Sequence, residues 1–223
     1  LRERGVKSKI VIAGGSGLVG KQLADLLARN GVEVHLVSRQ PTAQATPNVH
    51  EHVAPSDDWP AIVTRIKPAV AISCLGTTIR TAGSRAAFRA VDHDLVLAFA
   101  AASHESGTQR FITVSSVGAM PASSNFYLRT KAEMEQGLRN IGFQRLDIMR
   151  PSLLTGGKRD AHRPGESLGI LLSPFADRLM IGPMRKYAST PSHILAQAIA
   201  ALADRPDEGV FIHENDSIRA LAG

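Results

Sequence analysis

The sequence predicts an α/β fold, a doubly wound parallel sheet with helices on both faces, and three observations carry that prediction. An apolar run from Lys9 to Ala13 breaks into glycines at positions 14, 17 and 20 and resumes as an amphipathic stretch. Runs of strand length then alternate with helical patterns along the chain. Several of the runs, Ala69 to Leu75 above all, are apolar at nearly every position, as strands buried on both faces are.

The first run reads as strand, tight turn and helix. Gly14 permits the sharp turn, Gly17 lets a phosphate approach the backbone, and Gly20 allows close packing of helix on strand. The helix N-terminus offers unpaired N–H groups and a positive dipole end to a pyrophosphate. Gly14, Ser16, Gly17, Leu18, Val19 and Gly20 are therefore the candidate cofactor cradle. A glycine-rich turn with no ligand is the plain alternative, but the context weighs against it. A strand precedes the turn, a helix from Lys21 to Asn30 follows, and Gly31 leads into a second strand, Glu33 to Ser38. An NAD-binding chain carries an acid after that strand for the ribose 2′-hydroxyl. Here stand Ser38 and Arg39, and an arginine fork suits a 2′-phosphate, so NADP(H) is favoured over NAD(H).

Pro41 to Pro47 reads as a loop and Val49 to Val53 as a third strand. His50 and His52 would point to one face of it. With no third ligand in the sequence they are ordinary histidines, and no metal is expected. A helix to Ile66 follows, capped by Ser56 or Asp57. The run Ala69 to Leu75 ends in Gly76-Thr77-Thr78, and loops at such strand ends line the ligand crevice, which makes Leu75, Gly76 and Thr77 cofactor candidates. A long helix from Arg85 to Ser103 has Phe88, Val91, Leu95, Leu97 and Phe99 as its apolar face.

Arg110 to Val114 is another buried strand, and Ser115 and Ser116 stand at its exit. Beyond it come Tyr127 and Lys131, one turn apart on a helix and hence on one face. A lysine ammonium beside a phenol favours the phenolate, so Tyr127 can serve as general acid or base toward a carbonyl or hydroxyl. Ser116 would hydrogen-bond the same substrate oxygen, with Ser115 in its place if the register differs by one. A Tyr-x-x-x-Lys pair is common by itself. Joined to the glycine turn and the strand-end serines, it is a constellation that resembles the short-chain dehydrogenase/reductase superfamily, whose core is a Rossmann fold. The resemblance implies that Lys131 also positions the nicotinamide ribose.

The last sheet strand expected in this half, Gln144 to Met149, ends in Arg150-Pro151-Ser152-Leu153. That segment is similar to the Arg-Pro segment of extended and atypical members, which implies that Pro151 and Leu153 pass near the nicotinamide. Ser115 to Ala119, Ser123 to Leu128, Lys131, Glu133 and Arg163-Pro164-Gly165-Glu166 are similar to the Tat-interacting-protein-like atypical group. Residues 152–185 would form a small substrate-side lobe. A helix from Pro191 to Ala203 capped by Thr190, a strand Val210 to His213 and a helical turn Asp216 to Leu221 complete a single domain over 1–223.

The 223 residues include one cysteine, Cys74, so neither a disulfide framework nor a cysteine metal site is proposed, and a reducing cytoplasm is the expected compartment. No run approaches the roughly 20 apolar residues of a membrane span. The basic opening residues lead into a strand pattern rather than a secretory leader. A formal charge of +6 raises nucleic acid as a partner, but the basic residues are scattered. The densest group, Lys158, Arg159 and Arg163, reads as solvated surface or an anionic substrate pocket before a nucleic-acid groove. The expected function is NADP-dependent interconversion of a carbonyl/alcohol pair in a small metabolite. Two alternatives stay open: an NADPH-binding regulatory module without turnover, and a nucleotide-sugar epimerase or dehydratase. The resemblance also admits a homodimer.

Overall fold

The computed structural model describes residues 9–42, 44, 46–156 and 188–223. Most of the expected substrate-side lobe, the Lys158–Arg163 cluster and the Arg-Pro-Gly-Glu stretch lie outside the described residues.

Strand β1 (Lys9–Ala13) leads through the glycine turn into helix α1 (Leu18–Arg29) and strand β2 (Glu33–Ser38). The helix begins at Leu18, earlier than the Lys21 expected from the sequence. Gly20, read there as part of the turn, lies in the first helical turn, where its missing Cβ gives room to the backbone of Gly14. Next come β3 (Val49–Val53), a 3₁₀ turn at Ser56–Asp58, α2 (Trp59–Ile66) and β4 (Val70–Ser73). The expected cap at Ser56 or Asp57 is corrected: those residues form the 3₁₀ turn, and Asp58 precedes the helix without a side-chain cap bond.

Helices α3 (Ile79–Ala82) and α4 (Arg85–Arg89) lead into a π turn, Ala90–Asp94, and then α5 (Leu95–Glu105). The single helix expected from Arg85 is therefore interrupted. The π turn changes the helical phase, so that Val96, Phe99 and Ala100 are buried while Leu95 and Leu97 are only partly so. Then follow β5 (Arg110–Val114), α6 (Phe126–Ile141) and β6 (Arg145–Met149). Short strands β7 (Leu154–Thr155) and β8 (Thr190–Pro191) pair with each other before α7 (Ser192–Leu202), β9 (Gly209–His213) and α8 (Asn215–Leu221). Thr190 does not cap α7. It lies buried in β8 with its hydroxyl 3.2 Å from Asn215 Oδ1, and Pro191 precedes the helix.

Among the described residues seven strands form one parallel sheet in the order β3-β2-β1-β4-β5-β6-β9. Side chains alternate between its faces. Ile10 and Ile12 meet Leu23 and Leu27 of α1 and Leu195 and Ile199 of α7 on one face. Val11 and Ala13 meet Trp59 and Val63 of α2, Phe99 of α5 and Met134 and Leu138 of α6 on the other. Because every strand runs the same way, the exits of β1, β2, β4, β5 and β6 lie along one edge. The strand order reverses between β1 and β4, where a crevice opens.

At the β2–β3 edge the structure supplies a third histidine to the pair seen in the sequence. His35 lies 3.0 Å through Nδ1 from His52 Nε2 and 3.0 Å through Nε2 from Glu33 Oε1, and the rings of His50 and His52 stack on it at 5.0 and 5.2 Å. A carboxylate only accepts, so neutral His35 carries its proton on Nε2 and accepts at Nδ1 from His52. Burial pushes both His35 and His52 below the ordinary imidazole value of 6.5. The hydrogen bond from His35 lowers Glu33 as well. Depressed values mean that the folded chain binds fewer protons than the unfolded one, so this stability is present above 6.5 and is lost as pH falls. Lys9, His50 and Arg65, which face the cluster, act in the same direction. The melting temperature is expected to drop between about pH 7 and about pH 5, and His35→Gln is expected to flatten that slope. Thermal melts across this range check it, and an unchanged slope in the variant would count against the cluster.

Candidate cofactor and catalytic site

The glycine turn is held by backbone contacts that leave no space for side chains. The Gly17 N–H donates to the Gly14 carbonyl at 3.0 Å, and Gly14 sits at a φ of +88°. A Cβ on Gly14 would lie 2.6 Å from the carbonyl carbon of Cys74, at the β4 exit, and one on Gly20 would lie 2.3 Å from the Gly14 oxygen. Gly17 precedes α1 without a side-chain cap bond, so the first helical N–H groups, beginning at Leu18 and Val19, are open to an anion. Ser16 and Gly17 are exposed there, whereas Val19 is buried in the core. These features form a cradle that fits the pyrophosphate of a dinucleotide.

Arg39 is exposed immediately past β2, beside the turn, because Ala13 pairs with Val37 and Leu36 packs against Gly15. On the other side of the crevice Leu75 packs partly into the core, while Gly76 is exposed and the Thr77 N–H is fixed by Asp92 Oδ2 at 2.8 Å. Burial pushes the Cys74 thiol up to about 12, which removes it as a nucleophile.

Helix α6 carries the Tyr-Lys pair. Asn125 caps it, its side chain accepting the Tyr127 N–H at 2.9 Å, so Tyr127 stands in the first turn with its ring tilted on Phe88 at 5.4 Å. One turn on, the buried Lys131 reaches the sheet edge. Its Nζ lies 2.8 Å from Asp92 Oδ1 and donates to the Val114 carbonyl at 3.4 Å. A further turn on, on the same face, Glu135 accepts from Ser115 Oγ at 2.6 Å and from Arg150 Nε at 2.9 Å and Nη2 at 2.5 Å. Those bonds from Glu135 hold the Arg150 guanidinium above its already high value.

The two strand-end serines are thereby separated. Ser115 is buried and turned to Glu135, whereas Ser116 is partly exposed and, among the described residues, its hydroxyl bonds the adjacent Val117 carbonyl at 3.3 Å, a contact a ligand can replace. The Val117 N–H donates to the Pro151 carbonyl at 2.9 Å, which ties the β5 exit to the β6 exit. Pro151 is buried and Leu153 is 41% exposed. Two groups at this site escaped the sequence reading, Asp92 and Glu135. The available signal was an acid between the apolar Phe88 and Val96 for Asp92, and an acid two turns beyond Tyr127 on the face of the Tyr-Lys pair for Glu135.

A parallel sheet that reverses at the glycine turn, with a Tyr-Lys pair on the helix whose lysine reaches the β5 exit, defines a dinucleotide-binding Rossmann protein of the short-chain dehydrogenase/reductase type. The model of the NAD dependent epimerase/dehydratase family matches residues 10–156, and the chain belongs to that family. Protein FMP52, mitochondrial, of Coccidioides immitis is 30% identical over 227 residues, 95% of this chain and 92% of that protein. The protein of the same name in Emericella nidulans is 34% identical over 170 residues, 72% of each chain. Among solved structures, MoeE5 in complex with UDP-glucose and NAD superposes with a TM-score of 0.70 at 13% identity, covering 95% of this chain and 79% of that one. This last likeness concerns the fold. The expected cytoplasmic location is corrected by the fungal relatives, both of which are named as mitochondrial. A lone cysteine can form no internal disulfide in any compartment, so it does not distinguish the cytosol from another.

Proposed function

We propose that the chain is an NADP(H)-dependent oxidoreductase acting on a carbonyl/alcohol pair of a small metabolite, with Tyr127 as its acid and base. The observation that carries this reading is the placement of Tyr127 and Lys131 on one face of α6, at the sheet edge where the glycine cradle and the partly exposed Ser116 also stand. The nicotinamide, when bound, supplies or takes the hydride.

The chain's residues do the rest. Gly14 to Gly20 and the first amides of α1 hold the pyrophosphate. Gly76 and Thr77 border the ribose, and the backbone of Pro151 and Leu153 borders the nicotinamide. Ser116 orients the substrate oxygen, because Ser115 is occupied by Glu135. Tyr127 gives that oxygen a proton in reduction and removes one in oxidation. Lys131 places an ammonium beside both the phenol and the ribose. Purified protein supplied with NADPH and a panel of aldehydes and ketones is expected to consume the cofactor, followed by its absorbance. A panel without consumption, in the presence of tight binding, would count against turnover.

The NADP preference rests on Arg39 and on the absence of an acid after β2. Arg39→Glu is expected to weaken NADPH binding by about tenfold or more, the range of a lost charge-assisted hydrogen bond, and to leave NADH binding little changed. Fluorescence titration with both cofactors checks this, and an equal effect on the two would overturn the preference. The family match favours a second reading, an epimerase or dehydratase that keeps its NAD. It predicts cofactor retained through purification and no net consumption of added NADPH.

A further inference from the structure

Three histidines share one face of the sheet at the β2–β3 edge. His35 of β2 pairs with His50 of β3 in the parallel register, and His52 stands two residues beyond His50, so all three side chains leave on the same side. His35 Nδ1 and His52 Nε2 lie 3.0 Å apart. The other nitrogen of His35, Nε2, is 3.0 Å from Glu33 Oε1, and Lys9 stands 4.0 Å from that same oxygen. A carboxylate on one imidazole nitrogen fixes the tautomer and leaves the opposite lone pair free, as it does for histidines that ligate metals. In His35 that lone pair is on Nδ1, which faces His52.

We propose that His35 Nδ1, His52 Nε2 and an imidazole nitrogen of His50 form a site for a divalent transition-metal ion of the zinc type, with Glu33 orienting His35. Imidazole suits Zn²⁺, Cu²⁺ and Ni²⁺, whereas Mg²⁺ and Ca²⁺ take oxygen. Two nitrogens about 2.0–2.1 Å from zinc at a tetrahedral angle are about 3.3–3.4 Å apart, so the observed pair has only to open slightly. His52 changes tautomer on binding: the proton it donates from Nε2 passes to Nδ1 of the same ring, and none is released. Burial holds His35 and His52 below 6.5, so both rings are neutral at neutral pH, the state that ligates. Among the described residues no three ligands converge ready-made on one point. His50 supplies the third by turning its side chain. Its ring stacks on His35 at 5.0 Å and is exposed, so the turn disturbs no core contact. Within the sheet β3 pairs only with β2, and an ion shared by the two strands would fasten that edge. The site does not depend on the dinucleotide reading.

The test titrates the untagged full chain, freed of metal by a chelator, with Zn²⁺ in a calorimeter, with Mg²⁺ as the oxygen-seeking control and thermal melts on the same samples. One Zn²⁺ per chain is expected, with a higher melting temperature and no response to Mg²⁺. His52→Gln and His50→Gln are each expected to weaken Zn²⁺ binding by about tenfold or more, and Glu33→Ala by about tenfold, as loss of an outer partner does. His104→Gln, at an exposed position on α5, is expected to bind as wild type does. Because His50 is exposed, its variant keeps the test decisive where a change at 52 or 33 impairs folding. A wild type that binds no Zn²⁺ overturns the proposal. Wild-type affinity in His52→Gln or Glu33→Ala places the ion elsewhere, and wild-type affinity in His50→Gln removes the third ligand; either result overturns the site. A loss in His104→Gln as large as in His52→Gln makes the binding adventitious and overturns it as well.

Discussion

Gly20→Ala is expected to lower dinucleotide affinity by on the order of 100-fold or more and to destabilise the fold at the same time. The added Cβ would stand 2.3 Å from the Gly14 oxygen and 3.0 Å from both the Gly14 carbonyl carbon and the Gly15 Cα. All three are backbone atoms, so no side chain can rotate away, and either the turn or the start of α1 must shift. Overpacking of this kind costs roughly 1–3 kcal/mol of stability. The larger loss falls on binding, because the turn amides work by geometry. Two charge-assisted hydrogen bonds to phosphate, at roughly 1.5–3 kcal/mol each, account for that factor.

Gly31→Ala is the matched control. Gly31 also has a positive φ, +82°, but nothing lies within 4 Å of a Cβ built there, so the substitution strains the chain without touching the turn. Fluorescence titration and thermal melts on both variants give the comparison. Loss of stability in both with loss of binding in Gly20→Ala alone supports the cradle. Wild-type affinity in Gly20→Ala would remove the glycine turn from the site.

What could be read without coordinates follows from how local each signal is. β1, β2 and β5 were legible because largely apolar runs of strand length end at glycine, proline or polar residues, whereas β3, Val-His-Glu-His-Val, was legible from the proline-bounded loop before it. The crevice followed from the parallel order and the glycine turn. Boundaries decided by tertiary contact were not legible. Thr190 has the chemistry of a cap but is taken by Asn215 and Ser152 across the chain. The helix pattern from Arg85 gave no warning of the π turn, whose Asp92 meets Lys131 and Thr77 across the fold.

Pairs between distant segments were out of reach for the same reason. Glu135 meets Arg150 and Ser115 only once α6 lies over β5 and β6. Arg145, Asp147 and His213 join β6 to β9, with Arg145 Nε 2.6 Å from Asp147 Oδ2 and His213 Nε2 2.8 Å from Asp147 Oδ1. The ambiguity between Ser115 and Ser116 could not be resolved from two adjacent serines either. It is Glu135 that distinguishes them, by engaging the first and leaving the second partly exposed.

Tyr127→Phe is expected to cut turnover by about 10²–10⁴-fold, the usual contribution of a positioned acid or base, while leaving cofactor binding essentially intact. The substitution removes one hydroxyl and keeps the ring that packs on Phe88 at 5.4 Å, and the Asn125 cap binds the backbone N–H, which phenylalanine retains. Neither the start of α6 nor the position of Lys131 one turn later has cause to change. A fall in turnover therefore reports proton transfer rather than a disturbed helix. The measurement is cofactor consumption with a carbonyl substrate, paired with a binding titration on the same preparation. Lost turnover with retained binding makes Tyr127 the acid and base. Turnover at the wild-type rate removes it from that role. A variant with unaltered binding and full biological effect, set beside a wild type that consumes no cofactor, would make the chain a dinucleotide-responsive module, in which Lys131 and the glycine turn serve binding alone.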